Sequence, residues 1–90
     1  MAIVIHPHAS LRMGERGATL IEVLETVEAG HSSEAKFGRI RYEMTFSCSG
    51  FWQGMYYLSK HLDVYCAIEG ADIIVITVVV KYSQECVDGH

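Results

Sequence analysis

Proline is nearly absent: Pro7 stands alone, so no proline interrupts helix or strand anywhere beyond it. Basic residues are scarce, with seven Lys and Arg against eleven Asp and Glu and a formal charge of −4. Phosphate neutralisation supplies most non-specific nucleic-acid affinity, so this balance excludes a general cationic binder and leaves room for a local basic patch. Cysteines are few: Cys48, Cys66 and Cys86 are odd in number, widely spaced and form no C-x-x-C. They read as free thiols in a reducing cytosol. No Lys or Arg precedes His6 and no long apolar run follows it, so the N-terminus does not read as a signal peptide. The longest largely apolar run, residues 73–80, falls well short of the roughly 20 residues that span a bilayer, and no membrane partner is expected. A Gly-rich phosphate loop, G-x-S-x-G and H-E-x-x-H are all missing, and no internal repeat or linker divides the chain.

What is present is apolar. Half of the 90 residues are hydrophobic, which excludes disorder. A chain of this length buries only roughly 60–65% of the surface its unfolded form exposes, so its core is thin. Surplus apolar surface then predicts packing against a second chain, with a homodimer as the simplest case. One domain over residues 1–82 and a frayed tail over 83–90 are expected.

Residues 2–5 are β-branched and read as a short strand. Pro7 suits the first position of a helix reaching Arg16, and Gly17 is its natural left-handed terminator. Thr19 and Glu22 form a capping box, and Leu20, Val23, Leu24 and Val27 follow at helical spacing up to Gly30. Residues 31–38 are polar and aperiodic and read as a loop. In residues 40–46, Ile40, Tyr42, Met44 and Phe46 alternate with Arg41, Glu43 and Thr45, as in a half-buried strand. Residues 47–54 read as a turn or loop. Residues 55–68 read as one long strand, bulged near 59–62. Residues 73–82 read as the last strand, apolar on both faces and therefore interior. Strict alternation puts Ile74, Ile76, Val78 and Val80 on one face, and Ile73, Val75, Thr77, Val79 and Lys81 on the other. Helices first and strands later indicate an α+β fold: two N-terminal helices packed on an antiparallel sheet, in the order β-α-α-β-β-β.

Several groups of residues could carry chemistry. His8, Arg12 and Arg16, at i, i+4 and i+8, fall within an arc of about 80° on one helical face. Such a stripe can hold a phosphate backbone, with His8 as a proton carrier, or it can be a solvated face with Arg12 paired to Glu15. Residues 36–41, with Lys36, Arg39 and Arg41, are the densest basic segment. If strand register brings Arg41, His61 and Lys81 to one side of the sheet, that side can hold an anionic backbone. Phe51, Trp52, Tyr56 and Tyr57 are available to stack on unpaired bases or to fill the core. His6 and His8 would supply only half of a tetrahedral zinc site, and no metal or other cofactor is expected.

The segment His8-Ala9-x-x-Arg12-Met13-x-x-Arg16-Gly17, followed by the capped helix over 19–29, resembles a family of small bacterial domains of unknown function grouped with the RelE/ParE toxin-like superfamily. Gly38-Arg39-Ile40-Arg41-Tyr42, Tyr57-Leu58-Ser59-Lys60, and Val75-Ile76-Thr77-Val78 running to Lys81-Tyr82 also resemble it. The likeness extends over residues 5–82. It implies the same fold of two helices on a sheet, and metal-independent cleavage of messenger RNA on the ribosome through attack by a ribose 2′-hydroxyl. His8 or His61 would then be the base. Arg12, Arg16, Lys60 and Lys81 would be the catalytic cations, and Arg39, Arg41, His61 and Tyr57 would bind RNA. The alternative is a non-enzymatic interaction module that binds itself or an antitoxin-like partner by adding a strand or helix.

Overall fold

Two helices follow a short first strand, the first opened by proline and each closed by glycine. The computed structural model describes residues 2–47 and 49–84; Cys48, Cys86 and all of the expected tail beyond Gln84 lie outside them. Helix α1 spans Pro7–Arg16, with proline at its start. His6 caps it, its Nδ1 accepting from the His8 N–H at 3.1 Å. Gly17 ends it at φ +80, and the N–H groups of Gly17 and Ala18 both donate to the Met13 carbonyl. Helix α2 spans Leu20–Ala29 behind the expected capping box: Glu22 N–H donates to Thr19 Oγ1 at 3.2 Å, and Thr19 N–H donates to Glu22 Oε1 at 3.0 Å. Its buried stripe is Val23, Thr26 and Val27, whereas Leu20 is half exposed. Thr26 is tolerated inside because its hydroxyl donates to the Glu22 carbonyl at 2.7 Å.

The strands are β1 (Ile3–Ile5), β2 (His31–Glu34), β3 (Ile40–Phe46), β4 (Gly50–Trp52), β5 (Met55–Tyr57), β6 (Ser59–Glu69) and β7 (Asp72–Ser83). Five form one sheet in the order β1-β7-β6-β3-β2, and β4 and β5 form a separate hairpin. The fold is therefore α+β with two helices on a sheet, as expected. Its details correct the sequence reading. The sheet is mixed, because β1 runs parallel to β7. The segment read as a loop supplies β2 and a one-turn 3-10 helix at Lys36–Gly38. As a short polar edge strand, β2 has no apolar face to betray it. The long strand read over 55–68 is two strands, broken at Leu58, whose N–H donates to the Ser83 carbonyl at 2.8 Å.

Strand β7 is interior as expected, but its faces are not those of strict alternation. The bulge lies not in β6 near 59–62 but in β7. Tyr65 pairs with Thr77 and Cys66 with Val75, leaving Ile76 as the extra residue. Thus Ile73, Val75, Val78 and Val80 all face the helices, opposite Ile68, Cys66, Val64 and Leu62. Ala9 and Met13 of α1 and Val23 and Val27 of α2 close this core. Among the described residues, no helix is long and apolar enough to cross a membrane.

Candidate functional site

The face of the sheet turned away from the helices is polar, and register decides what meets on it. Thr45, His61 and Lys81 form one cross-strand row over β3, β6 and β7. Glu43 and Asp63 form the next, and Arg41, Tyr65 and Thr77 the third. Arg41, His61 and Lys81 therefore do emerge on one side.

They gather around one carboxylate. Asp63 is 3% exposed. A carboxylate that deep persists only with compensating charge or hydrogen bonds. Here Asp63 Oδ1 lies 3.2 Å from His61 Nε2 and 3.8 Å from Arg41 Nε, and Oδ2 lies 3.7 Å from Lys81 Nζ. Arg41 also donates to Glu43 Oε2 at 2.5 Å. Hydrogen bonds that the Arg41 guanidinium makes to Glu43 and Tyr65 push it above its usual value and keep it charged. Its Nε is buried without a hydrogen-bond partner among the described residues.

His61 is held at both ring nitrogens. Thr45 Oγ1 lies 2.6 Å from Nδ1, and Asp63 Oδ1 lies on the Nε2 side. A carboxylate can only accept, so the neutral ring puts its proton on Nε2 and leaves Nδ1 basic, accepting from Thr45. This is a base oriented by a buried acid and facing an exposed hydroxyl position. Glu43, His61 and Asp63 also bring one ligand-type atom each within 4.8 Å of one another. Arg41 and Lys81 already neutralise both carboxylates, so a divalent cation would have to displace these two charges.

Beyond Arg41 the face opens into a cleft of about 510 Å³ whose lining includes Ser33, Lys36, Phe37, Arg39, Arg41 and Tyr65. The 3-10 turn builds its wall. Ala35 N–H donates to the Arg39 carbonyl at 2.8 Å and Arg39 N–H to that of Lys36 at 3.3 Å. Between them Phe37 adopts φ 62, ψ 34, with its side chain 89% exposed. A non-glycine residue held there costs of order 1–3 kcal/mol.

The other anticipated cations lie elsewhere. Lys60 points to the helix side and is 5% exposed; its Nζ donates to the Gly17 carbonyl at 2.5 Å and to Glu22 Oε1 at 2.7 Å. Arg16 donates to the Val78 carbonyl at 2.6 Å. Arg12 pairs with Glu15 at 2.7 Å, the solvated-face alternative. His8 is exposed at the start of α1. Tyr57 packs its ring against Tyr82, centroids 4.8 Å apart, and Tyr82 stacks on Trp52 and donates to the Arg16 carbonyl. The anticipated positive side chains of α1 and the closing hairpin thus do not all meet on one surface: Lys60 and Lys81 lie on opposite faces of the sheet.

Asp63, Thr45, Phe37 and Tyr65 escaped the sequence reading. The period-two series Arg41-Glu43-Thr45 and His61-Asp63-Tyr65 was the available signal for three of them. Nothing local marks Phe37 as exposed. No family model, curated protein or solved structure matches the chain.

Proposed function

We propose that the chain is a RelE/ParE-like module that binds a single RNA strand across the open face of its sheet and cuts it without a metal. The observation that carries this reading is the convergence of Arg41, His61 and Lys81 around buried Asp63. Charge distribution supports it. Four of the seven Lys and Arg residues, Lys36, Arg39, Arg41 and Lys81, lie on or beside this face alongside Glu34, Glu43 and Asp63, so the basic residues of a chain of net charge −4 are concentrated here. Of the two histidines left open by the sequence, His61 has the better surroundings.

In this mechanism the ribose 2′-hydroxyl takes the place of the Thr45 hydroxyl at His61 Nδ1 and gives up its proton there. The 2′-oxygen bonds to the adjacent phosphorus, the bond from phosphorus to the 5′-oxygen breaks, and the departing oxygen takes a proton from solvent. A 2′,3′-cyclic phosphate and a 5′-hydroxyl result. Asp63 holds the ring and stabilises the imidazolium, while Arg41 and Lys81 face the charge that builds on phosphate.

The test is binding and cleavage of end-labelled single-stranded RNA in the presence of EDTA. His61→Gln should retain binding and lose cleavage. Arg41→Ala and Lys81→Ala should weaken binding and flatten its salt dependence. Intact RNA with no retention at low salt sinks the reading.

A second reading has its own observation. β1 pairs only with residues 73–75 of β7, so the outer edge of β7 has no strand partner over residues 76–81 among the described residues. Such an edge accepts an added strand from a second copy or an antitoxin-like peptide. Light scattering at high concentration tests it: a strict monomer with no partner bound counts against it.

A further inference from the structure

Apart from Arg41 on its lining, the cleft at the 3-10 turn takes no part in the cleavage chemistry, yet it holds the most exposed large hydrophobic side chain among the described residues. Phe37 lies on the wall of a concavity of about 510 Å³, within the size range of small-ligand sites. Its backbone is left-handed, and Gly38 follows at φ +70. Two successive residues of this kind, tied at Ala35, Lys36 and Arg39, hold the ring outward instead of letting it fold onto the sheet. Lys36 and Arg39 line the same cleft, as does one carboxylate, Glu34, but neither cation is ion-paired or hydrogen-bonded through its side chain to it or to any other described residue. An unclaimed aromatic surface beside two unclaimed cations matches a flat base with an attached phosphate.

We infer that this cleft is a subsite for one unpaired nucleotide, its base on the Phe37 ring and its phosphate between Lys36 and Arg39. The inference rests on the RNA reading of the open face and deepens it. Tyr65, on the cleft floor, lies four residues along β6 from His61, roughly 13 Å at the rise of a strand. The subsite therefore takes a flanking nucleotide and not the one being cut. It sets sequence or strandedness preference, because a base in a duplex cannot reach the ring.

The experiment uses a fluorescein-labelled single-stranded oligoadenylate for anisotropy, and 5′-AMP and inorganic phosphate for amide chemical shifts. Phe37→Gly and Phe37→Asn both accept the left-handed backbone, so the fold should stand while oligoadenylate affinity falls about 5- to 150-fold. Phe37→Trp should keep the affinity. The amides of Ser33, Lys36, Phe37 and Tyr65 should shift with 5′-AMP and far less with phosphate. If Phe37→Gly binds as tightly as wild type while Arg41→Ala and Lys81→Ala weaken binding, the subsite is overturned and the RNA face stands. If wild type binds no RNA yet 5′-AMP shifts those amides, the RNA reading falls and the nucleotide subsite stands. Absence of both overturns both.

Discussion

Lys60 Nζ sits 2.7 Å from Glu22 Oε1, joining β6 to the capping box of α2 through a buried ion pair. The same ammonium donates to the Gly17 carbonyl and lies 5.8 Å from the centre of the Tyr82 ring. One cation thereby links the end of α1, the start of α2 and the end of the last strand. Lys60→Met should cost about 3–5 kcal/mol, since it leaves Glu22 and the Gly17 carbonyl without their partner. Urea unfolding measures this, and a loss within experimental error would show that the pair adds nothing.

Acid should attack the same joint. Burial alone would raise the Glu22 carboxyl, but hydrogen bonds from Lys60 and Thr19 outweigh it and hold the group below the usual 4.5. A lowered folded value means that the unfolded chain binds the proton more readily. The stabilisation is complete above pH 4.5 and is lost as pH falls through the lower folded value. In Glu22→Gln the acid limb of the stability profile should flatten, as read by unfolding midpoints from pH 7 downward.

Gly17 should resist replacement for two separate reasons. Its φ of +80 disfavours any side chain, and a Cβ would stand 2.5 Å from the Tyr82 hydroxyl and 3.0 Å from the Trp52 ring. Gly17→Ala is expected to destabilise by roughly 2 kcal/mol or more, beyond the ~1 kcal/mol of the backbone alone. Calorimetry decides it. A smaller loss would mean that the aromatic cluster yields easily.

Asp63→Asn should separate stability from binding. Removing the charge leaves Arg41 and Lys81 without their shared counter-ion and should cost about 1–3 kcal/mol. It also removes a negative charge from the proposed RNA face, so RNA should bind more tightly while cleavage drops with the loss of His61 orientation. Weaker binding in this variant would contradict the role given to the face.

Cys66 should be inert in the native state. Burial pushes its thiol up to about 11, and the side chain is fully enclosed. Iodoacetamide followed by peptide mass spectrometry should label Cys66 only once urea unfolds the chain. Rapid native labelling would reveal an opening of the core.

The helices were legible because caps and terminators act locally: Pro7, Gly17 and the Thr19–Glu22 box need only their neighbours. Strand β3 was legible from its alternation. The open face was legible only conditionally, since Arg41, His61 and Lys81 converge or disperse according to a register set by the whole sheet. Lys60 and Arg16 were misplaced for a different reason. Long cationic side chains can reach backbone carbonyls through apolar surroundings, and composition does not distinguish such a residue from a solvated one. Strand β2 stayed hidden because an edge strand of His, Ser and Glu has no hydrophobic period. Phe37 stayed hidden because residues 31–38 read only as a polar loop, and no local pattern marks an aromatic there as held outward by a left-handed backbone.

The surplus residue Ile76 gives β7 two reading frames. Up to Val75 the odd-numbered positions face the helices, and beyond it the even-numbered ones do. Removing that single isoleucine would therefore not turn either half over: Thr77 would follow Val75 directly, opposite Tyr65 and Cys66, and the strand would alternate without a break while Val78, Val80 and Lys81 kept the faces they have now.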